Sequence, residues 1–246
     1  RNNLSIILPG TGTRRSFSNL ITKNLPDLNI FDGGTQIFFE NIVDNTLKAE
    51  KSNIADIRNT FGLSDKQVIY YIYAILHSTE YRNKYANDLK KGLPRIPILT
   101  NMKPFIETGQ KLVELHINYE NQQPWPGVKV DLMGNDFTVK KMRHPKIETD
   151  DGKLIDDLSK IIFNNDILIS NIPEKAYQYI VNGTPAIEWI IDQYCIQVDK
   201  KSGITDDPNE FSDDPKYILN LLLSVITVSM RTLELIDELP EFEIQE

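Results

Sequence analysis

Hydrophobic residues at helical spacing predict a helical block over residues 53–91. Ser64 and Gln67 fit a capping box, so a helix is expected to start near Asp65. The positions of that helix expected to face a core are Val68, Ile72, Ile75 and Leu76. Ser78 is a candidate N-cap for the next helix, and Gly92 fits its left-handed C-cap. The buried stripe predicted for this second helix comprises Tyr81, Tyr85, Ala86 and Leu89.

The rest of the pattern predicts short strands and further helices. The predicted strands cover residues 4–8, 28–31, 36–39 and 137–142. The predicted helices cover residues 16–21, 104–115, 173–181 and 185–194, with a long final helix after Asp214-Pro215. Thr184 is the expected N-cap of the helix over 185–194, and Gly183 ends the one before it. Residues 160–170 fit a hairpin around Asn164-Asn165-Asp166. The sum is an α+β fold, rich in helix, with short, mostly antiparallel strands.

One domain over residues 1–246 is the simplest division, with a sub-boundary near the turn-rich stretch 121–136. That boundary would separate a basic α+β part, residues 1–120, from an acidic part of hairpin and helices, residues 137–246. The first residue is Arg1 rather than Met, so we expect a piece of a longer polypeptide.

Charge is distributed unevenly along a chain whose net charge is −8. Residues 1–150 carry 20 basic against 16 acidic residues, a net +4, and residues 151–246 carry 7 against 19. A polyanion would therefore meet the first portion. The asymmetry is equally typical of a surface that only keeps the protein in solution.

Composition narrows the class of protein further. An apolar content of 40% and a charged content of 25% are ordinary for a globular protein in water. No uninterrupted apolar run approaches membrane-spanning length, so we expect no membrane partner. A single cysteine, Cys195, excludes an internal disulfide framework and favours the cytoplasm. At the end of a predicted helix, Cys195 is expected to be a small buried apolar residue.

The candidate catalytic and cofactor motifs are weak. Gly10-Thr11-Gly12 after a strand resembles the start of a dinucleotide or S-adenosylmethionine loop, but the full motif is absent and a tight turn is favoured. The histidines His77, His116 and His144 are scattered in sequence, which does not build a local zinc site. Asp88-Leu89-Lys90 matches a nuclease tripeptide but falls in a predicted helix. We therefore expect no catalytic residue, no metal and no cofactor in this chain.

Basic clusters remain as the candidate binding residues. The densest includes Lys140, Lys141, Arg143 and Lys146, at the end of the strand predicted over 137–142. The others are Arg14 with Arg15 after the glycine loop, the group Lys90, Lys91 and Arg95, and Lys200 with Lys201 in a polar loop. Lys and Arg neutralise phosphates, and Arg can also read base edges. The sequence alone fits a DNA-reading surface and an ordinary solvated surface about equally.

Five stretches resemble, in order, the C-terminal part of Type ISP restriction–modification enzymes. They are LPGTGTRRSFSNLI (8–21), the segment 70–98, KLVELHINYE (111–120), the segment 177–209 with its Val-Asn-Gly and Asp-Pro-Asn, and the closing helix 217–240. The segment TQIFFENIV (35–43) and Gln193 depart from the pattern expected of that family. Together the stretches cover most of the chain.

The resemblance implies a DNA target recognition domain of a single-polypeptide adenine methyltransferase, helicase and nuclease. The fragment itself would perform no chemistry and would hold double-stranded DNA for an upstream methyltransferase domain of the same polypeptide. S-adenosylmethionine, ATP and Mg are then expected only in upstream domains, and the fragment is expected to be monomeric. The alternative is a structural coupler that docks the methyltransferase to the helicase and nuclease, with little DNA contact. A third hypothesis is a methyl-donor site at residues 10–13.

Overall fold

The computed structural model describes residues 3–12, 16–27, 29–31, 34–40 and 53–245, without the side chains of residues 53–56. The chain forms two compact units. Unit 1 comprises Arg1–Ile117, Val181–Gly183 and Glu234–Glu246, and unit 2 comprises Asn118–Ile180 and Thr184–Leu233. Each unit has a hydrophobic core composed mainly of its own residues.

Unit 1 begins with a three-stranded antiparallel sheet. Its strands are β1 (Ser5–Pro9), β2 (Leu20–Thr22) and β3 (Thr35–Phe39), in the order β2-β1-β3. Ile6 lies opposite Ile21 on one neighbour and Phe38 on the other. All five residues of β1 are buried, so both faces of this central strand are covered.

The described part of unit 1 also contains four helices: α1 (Asn53–Phe61), α2 (Asp65–His77), α3 (Thr79–Lys84) and α4 (Met102–Ile117). Every residue of α2 from Val68 to His77 is buried, so this helix forms the centre of the core. The predicted capping box is confirmed, because Ser64 Oγ accepts from Gln67 N while Gln67 Oε1 accepts from Ser64 N. Ser78 is confirmed as the N-cap of α3.

Unit 2 contains the larger number of strands. A three-stranded antiparallel sheet has the order β4-β8-β7, with β4 (Lys129–Leu132), β7 (Ile161–Ile162) and β8 (Ile167–Ser170). Strands β7 and β8 confirm the predicted hairpin. Two separate antiparallel ribbons follow, β5 (Lys146–Glu148) with β6 (Leu154–Asp156), and β11 (Gln197–Val198) with β12 (Thr205–Asp206). The short strands β9 (Ile180–Val181) and β10 (Thr184–Pro185) flank Asn182-Gly183, and residues Val181–Gly183 are assigned to unit 1.

The helices of unit 2 are α5 (Ala186–Gln193) and α6 (Tyr217–Asp237), whose last residues belong to unit 1. Helix α6 is the single helix of the described residues that is long and apolar enough to cross a membrane, and 72% of its apolar window is buried inside the protein. Its polar side chains bind protein groups: Ser224 Oγ donates to Tyr119 O, and Thr227 Oγ1 donates to Gln123 O at 2.7 Å. These features are those of a core helix.

The predicted fold class is confirmed, but several predicted elements are wrong. Residues 16–19 are not helical, and Leu20 begins strand β2, where its backbone can pair with β1. Residues 29–31 form a turn rather than a strand, and Leu28 lies outside the described residues. Residues 173–181 contain a 3₁₀ turn, Glu174–Gln178, instead of an α-helix. Thr184 does not cap α5, because it lies in β10 and Pro185 is the N-cap.

Helix α3 is shorter than predicted, and this changes the role of Gly92. The helix ends at Lys84 and a series of turns covers residues 85–91, so Gly92 is not at a helix end. The φ angle of Gly92 is not positive, whereas seven other glycines of the described residues have a positive φ. Tyr81 and Leu89 are buried as predicted and Tyr85 is half-buried, but Ala86 is exposed because the turns rotate it away from the core.

Candidate nucleic-acid interface

The candidate cations are divided between the two units. Arg14 and Arg15 lie outside the described residues. The unit 1 cluster is Lys90, Lys91 and Arg95, and the unit 2 clusters are Lys140, Lys141, Arg143 and Lys146, with Lys200 and Lys201. The described part of the glycine loop ends in a positive φ at Gly12, and residues 16–27 contain strand β2 and no helix. The strand–loop–helix context of a dinucleotide site is therefore missing from the described residues.

In unit 1 the basic residues lie on a segment that tyrosines hold in place. Lys90, Lys91 and Arg95 are exposed. The Tyr81 hydroxyl donates to Arg95 O at 2.8 Å, and the Tyr71 hydroxyl donates to Pro97 O at 2.8 Å. Burial, with smaller contributions from neighbouring Tyr85 and Asp88, raises the pKa of Tyr81 to about 12, which keeps its hydroxyl a donor. The chain direction after Lys91 is thus fixed by two buried side chains.

In unit 2 the residues 140–146, called here the cationic segment, begin with a bend at Lys140 and then alternate between exposed and inward side chains from Lys141 to His144. Lys141 and Arg143 are exposed, whereas Met142 is buried and the side chain of His144 is 6% exposed. Arg143 exchanges two backbone hydrogen bonds with Ile162, at 2.8 and 3.1 Å. This period-two alternation, and not a helix, places Lys141 and Arg143 on the side opposite Met142 and His144.

The strand predicted over residues 137–142 is wrong. The backbone of Val139 bonds to a side chain instead of a neighbouring strand: Asn209 Nδ2 donates to Val139 O, and Val139 N donates to Asn209 Oδ1, both at 2.9 Å. A second amide, Asn164 Nδ2, donates to the carbonyls of Asp136 and Thr138. Side chains distant in sequence thus satisfy the backbone groups that a strand ladder would have used.

The ribbon of β11 and β12, called here the lysine ribbon, carries Lys200 and Lys201 at its tip. Every residue from Gln197 to Thr205 is exposed. The Asp199 carboxylate accepts hydrogen bonds from the backbone N–H groups of Lys201 and Ser202. These hydrogen bonds, chiefly those from Ser202, lower the pKa of Asp199. Ile196 N donates to Lys140 O at 3.1 Å. This bond brings the base of the ribbon against the cationic segment, although Ile196 and Lys140 are 56 positions apart in sequence.

The lysines differ in whether an acid neutralises them. Lys146 Nζ lies 2.8 Å from Asp156 Oδ1 and Lys153 Nζ lies 2.7 Å from Asp151 Oδ2, both on the ribbon of β5 and β6. Within the described residues, no such ion pair involves the cations Lys140, Lys141, Arg143, Lys200 and Lys201. An external anion could use these five side chains, and also the exposed Lys129 and Lys216, which lie outside those ion pairs as well.

Sequence reasoning missed two features of this interface. His144 contacts Glu188 of α5 at 3.0 Å, and Asn209 supports the backbone at Val139. Both connect residues 44 or more positions apart, so no local signal identifies them. His77 and His116, which are scattered in sequence, lie with ring centroids 5.3 Å apart in the core of unit 1.

The other candidate chemistry is placed as follows. Within the described residues no three His, Cys, Asp or Glu side chains gather where they could hold a metal ion. Asp88-Leu89-Lys90 lies in the turns after α3, not in a helix. Cys195 is half-buried rather than buried, and its Sγ–H donates to Asp192 O. What the described part of unit 2 offers is an extended backbone with free cations, which suits binding of phosphates.

Comparison with known proteins gives one family. The model of the Type ISP C-terminal specificity domain matches residues 1–221. No curated protein matches the chain. Among solved structures, a nuclease-deletion mutant of the Type ISP restriction-modification enzyme LlaGI, in complex with a DNA substrate mimic, is 52% identical with a TM-score of 0.84. That match covers 100% of this chain and 18% of the LlaGI chain.

Two further structures are similar. The ATP-dependent Type ISP restriction-modification enzyme LlaBIII bound to DNA is 50% identical, with a TM-score of 0.86, over 100% of this chain and 16% of its own. A cryo-electron microscopy structure of a DrdV–DNA complex is 23% identical, with a TM-score of 0.78, over 98% and 25% of the two chains. The DrdV match shows a shared fold. The chain spans less than a fifth of the length of the two Type ISP chains.

Proposed function

Since this chain belongs to the family of Type ISP C-terminal specificity domains, we propose that it recognises a specific double-stranded DNA sequence. The observation that carries the proposal is similarity over all of this chain, at 50% identity or more, to part of two enzymes whose structures contain DNA or a DNA mimic. At that identity the fold is shared, with TM-scores of 0.84 and 0.86. The proposed surface consists of exposed basic residues of the two units.

In unit 2 the proposed contacts are the cationic segment and the lysine ribbon. Lys140, Lys141 and Arg143 would face the DNA, with Lys200 and Lys201 on phosphates beside them. The support is their exposure, their lack of ion pairs in the described residues, and the backbone bond from Ile196 to Lys140. Arg143 is the candidate for reading a base edge, because its guanidinium can bind guanine through two hydrogen bonds.

In unit 1 the proposed contacts are nonspecific. Lys90, Lys91 and Arg95 would bind backbone phosphates, supported by their exposure on a segment that Tyr71 and Tyr81 fix. Arg14 and Arg15 remain proposed contacts on the basis of the glycine loop that precedes them. Phosphate contacts of this kind set position and affinity, whereas base contacts set specificity.

The wider role proposed is to position a target adenine for N6 methylation by an upstream domain of a longer polypeptide. The family suggests this division of labour, and an adenine must leave the base stack to be methylated. This domain would hold the flanking duplex while the upstream domain performs the chemistry. Mapping methylated adenines in cells that carry the longer polypeptide, with and without the substitutions below, would test this role.

The direct test is binding of labelled duplex DNA by the complete chain at increasing salt. Replacing Lys140, Lys141 and Arg143 together by Ala is expected to reduce affinity about 100-fold at low salt and to flatten the logarithmic salt dependence by about 3. Loss of specificity would accompany it if Arg143 reads a base. The experiment reports both affinity and the number of phosphate contacts.

A matched control is replacement of Lys66, Lys103 and Lys111 by Ala. These three lysines are also exposed and the change in charge is the same, but they lie on helices α2 and α4, and one of them, Lys103, lies 3.8 Å from Glu107 Oε1. We expect their loss to change affinity less than threefold, through net charge alone. Equal loss in both triple variants, or binding without salt dependence, would contradict the proposed surface.

A second candidate function is docking onto a neighbouring methyltransferase domain. The ribbon of β5 and β6 favours it, because its lysines are ion-paired while Ile147, Leu154 and Ile155 are exposed by 44%, 68% and 45%. A groove of about 420 Å³, lined partly by Ile147 and Met133, lies beside it. Both functions can coexist on unit 2. A chain that acts only as a coupler would show no salt-dependent DNA binding in the same titration.

A further inference from the structure

His144 is the inward-facing residue in the middle of the cationic segment. Its ring packs against Tyr177, with centroids 5.6 Å apart, and only 6% of the side chain is exposed. It stands between Arg143, which bridges to β7, and Pro145, whose carbonyl accepts from Asp157 N at 2.8 Å. The position of this ring therefore affects the course of the chain that presents Lys141 and Arg143.

Both ring nitrogens of His144 face oxygen acceptors. Nδ1 lies 2.7 Å from the carbonyl oxygen of Lys160, and Nε2 lies 3.0 Å from Glu188 Oε1. A neutral imidazole carries one N–H, so one of these contacts would then join two lone pairs. In the alternative, a protonated Glu188 donates to a neutral ring. That arrangement is disfavoured, because a carboxylate is a weaker base than an imidazole. The geometry is that of an imidazolium donating two hydrogen bonds.

The groups around the ring support this state. Glu188 of α5, Asp156 of β6 and Tyr177 of the 3₁₀ turn face it, and Lys160 contributes its carbonyl while its ammonium pairs with Asp157. Burial lowers the pKa of His144, but the hydrogen bonds to Glu188 and Lys160, with the charges of Glu188 and Asp156, outweigh burial and raise the pKa above 6.5.

We propose that His144 is a positioning residue, whose imidazolium joins the cationic segment to Glu188 and Lys160 and thereby holds Lys141 and Arg143 for DNA. This inference rests on the proposed function. It adds a dependence on protonation that the lysines and arginine cannot supply, because their charges do not change between pH 6 and 8.5. His144 would not touch DNA itself.

The expected pH dependence has a definite sign. A histidine whose folded pKa is raised contributes its full stabilisation below the unfolded pKa of about 6.5 and loses it as pH rises through the folded pKa. Above that pH, the ring keeps one hydrogen bond and loses its attraction to Glu188. The cationic segment is then less well ordered, and DNA affinity falls.

The test compares DNA affinity at pH 6.0 and pH 8.5, at constant salt, for the complete wild-type chain and for His144→Gln and Glu188→Gln. We expect the wild type to bind about tenfold more weakly at pH 8.5, the order of effect of one charge-assisted hydrogen bond. His144→Gln should bind at pH 6.0 as the wild type does at pH 8.5 and show no further change. The NMR titration of the His144 ring proton should shift to lower pH in Glu188→Gln.

The outcomes separate this inference from the proposed function. If binding depends on salt but has the same affinity at both pH values, the inference about His144 is overturned and the proposed function is not. Retention of the wild-type pH profile in His144→Gln overturns it equally, even if that variant is less stable. Absence of salt-dependent binding at either pH overturns the proposed function. An unchanged His144 titration midpoint in Glu188→Gln shows that the carboxylate does not hold the proton, and also overturns the inference.

Discussion

Two buried histidines in unit 1 make stability sensitive to acid at the scale of single residues. Burial, together with the charge of Arg82, lowers the pKa of His116 to about 3, and burial lowers that of His77 well below 6.5. The Tyr73 hydroxyl and His116 Nδ1 lie 2.6 Å apart, which suits a neutral ring accepting a hydrogen bond. Unfolding exposes both rings to protonation, whereas folding keeps them neutral.

His116→Gln is therefore predicted to reduce the sensitivity of stability to pH. For a lowered folded pKa, the stabilisation is present above about pH 6.5 and is lost as pH falls toward 3; at pH 5 the loss from His116 is about 2 kcal/mol. The variant should lose about that much less between pH 7 and pH 5 in urea denaturation. Val113→Ala, a buried change on the same helix that leaves both histidines and Tyr73 unaltered, should retain the wild-type pH dependence. Equal pH dependence in wild type and His116→Gln would refute this account.

Single residues were predictable from sequence where the interaction is local. Ser64 with Gln67 and Ser78 with Tyr81 are each three positions apart, and these caps could be identified from spacing alone. The contacts of Asn209 with Val139 and of His144 with Glu188 span 70 and 44 positions. Pairings of that range depend on the folded chain, so the exposure of the basic residues was predictable but the order of their backbone was not.

At the scale of elements, the packing of α2 against α4 depends on a glycine. A Cβ built at Gly109 of α4 would lie 1.9 Å from the carbonyl oxygen of Tyr70 in α2. The contact is therefore between the backbones of the two helices. No side chain can move aside to relieve that overlap. The two helices therefore approach at this point to a distance that only glycine allows.

Gly109→Ala is predicted to destabilise unit 1 by about 3 kcal/mol, because two helices must separate. Gly92→Ala is the matched control: a Cβ there meets nothing within 4 Å and its φ is not positive, so its effect should stay within about 0.5 kcal/mol. Urea denaturation of both variants measures the difference. Similar midpoints for the two would show that α4 can shift freely over α2.

The elements that sequence predicted well are those with periodic apolar positions or a tight turn. Helices α2, α4 and α6 and the hairpin of β7 and β8 satisfy this condition, since hydrophobic spacing and turn residues agree there. Residues 137–142 have apolar alternation without a strand partner, because Asn209 and Asn164 take the backbone bonds. Residues 16–21 form part of a sheet whose other strands lie elsewhere in sequence.

At the scale of the whole molecule, a chain of net charge −8 can bind a polyanion only where its cations are concentrated and unpaired. The acidic residues that give residues 151–246 their negative charge partly neutralise nearby lysines, as Asp156 does with Lys146. They leave others free. The total number of lysines therefore overestimates how many can bind DNA. The number of lysines without an ion pair in the described residues is the better estimate.

Two double variants test whether ion-paired lysines contribute less to DNA binding than unpaired ones. Lys200→Ala with Lys201→Ala removes unpaired cations at the tip of the lysine ribbon, and should reduce the logarithmic salt dependence of DNA binding by about 2. Lys146→Ala with Lys153→Ala makes the same change in charge on the ribbon of β5 and β6, where Asp156 and Asp151 already pair with both lysines. Because those acids compete with phosphate, the salt dependence should change by less than about 1. Titrations at four salt concentrations measure both slopes, and equal slopes would show that ion pairing on this surface does not decide which lysines meet DNA.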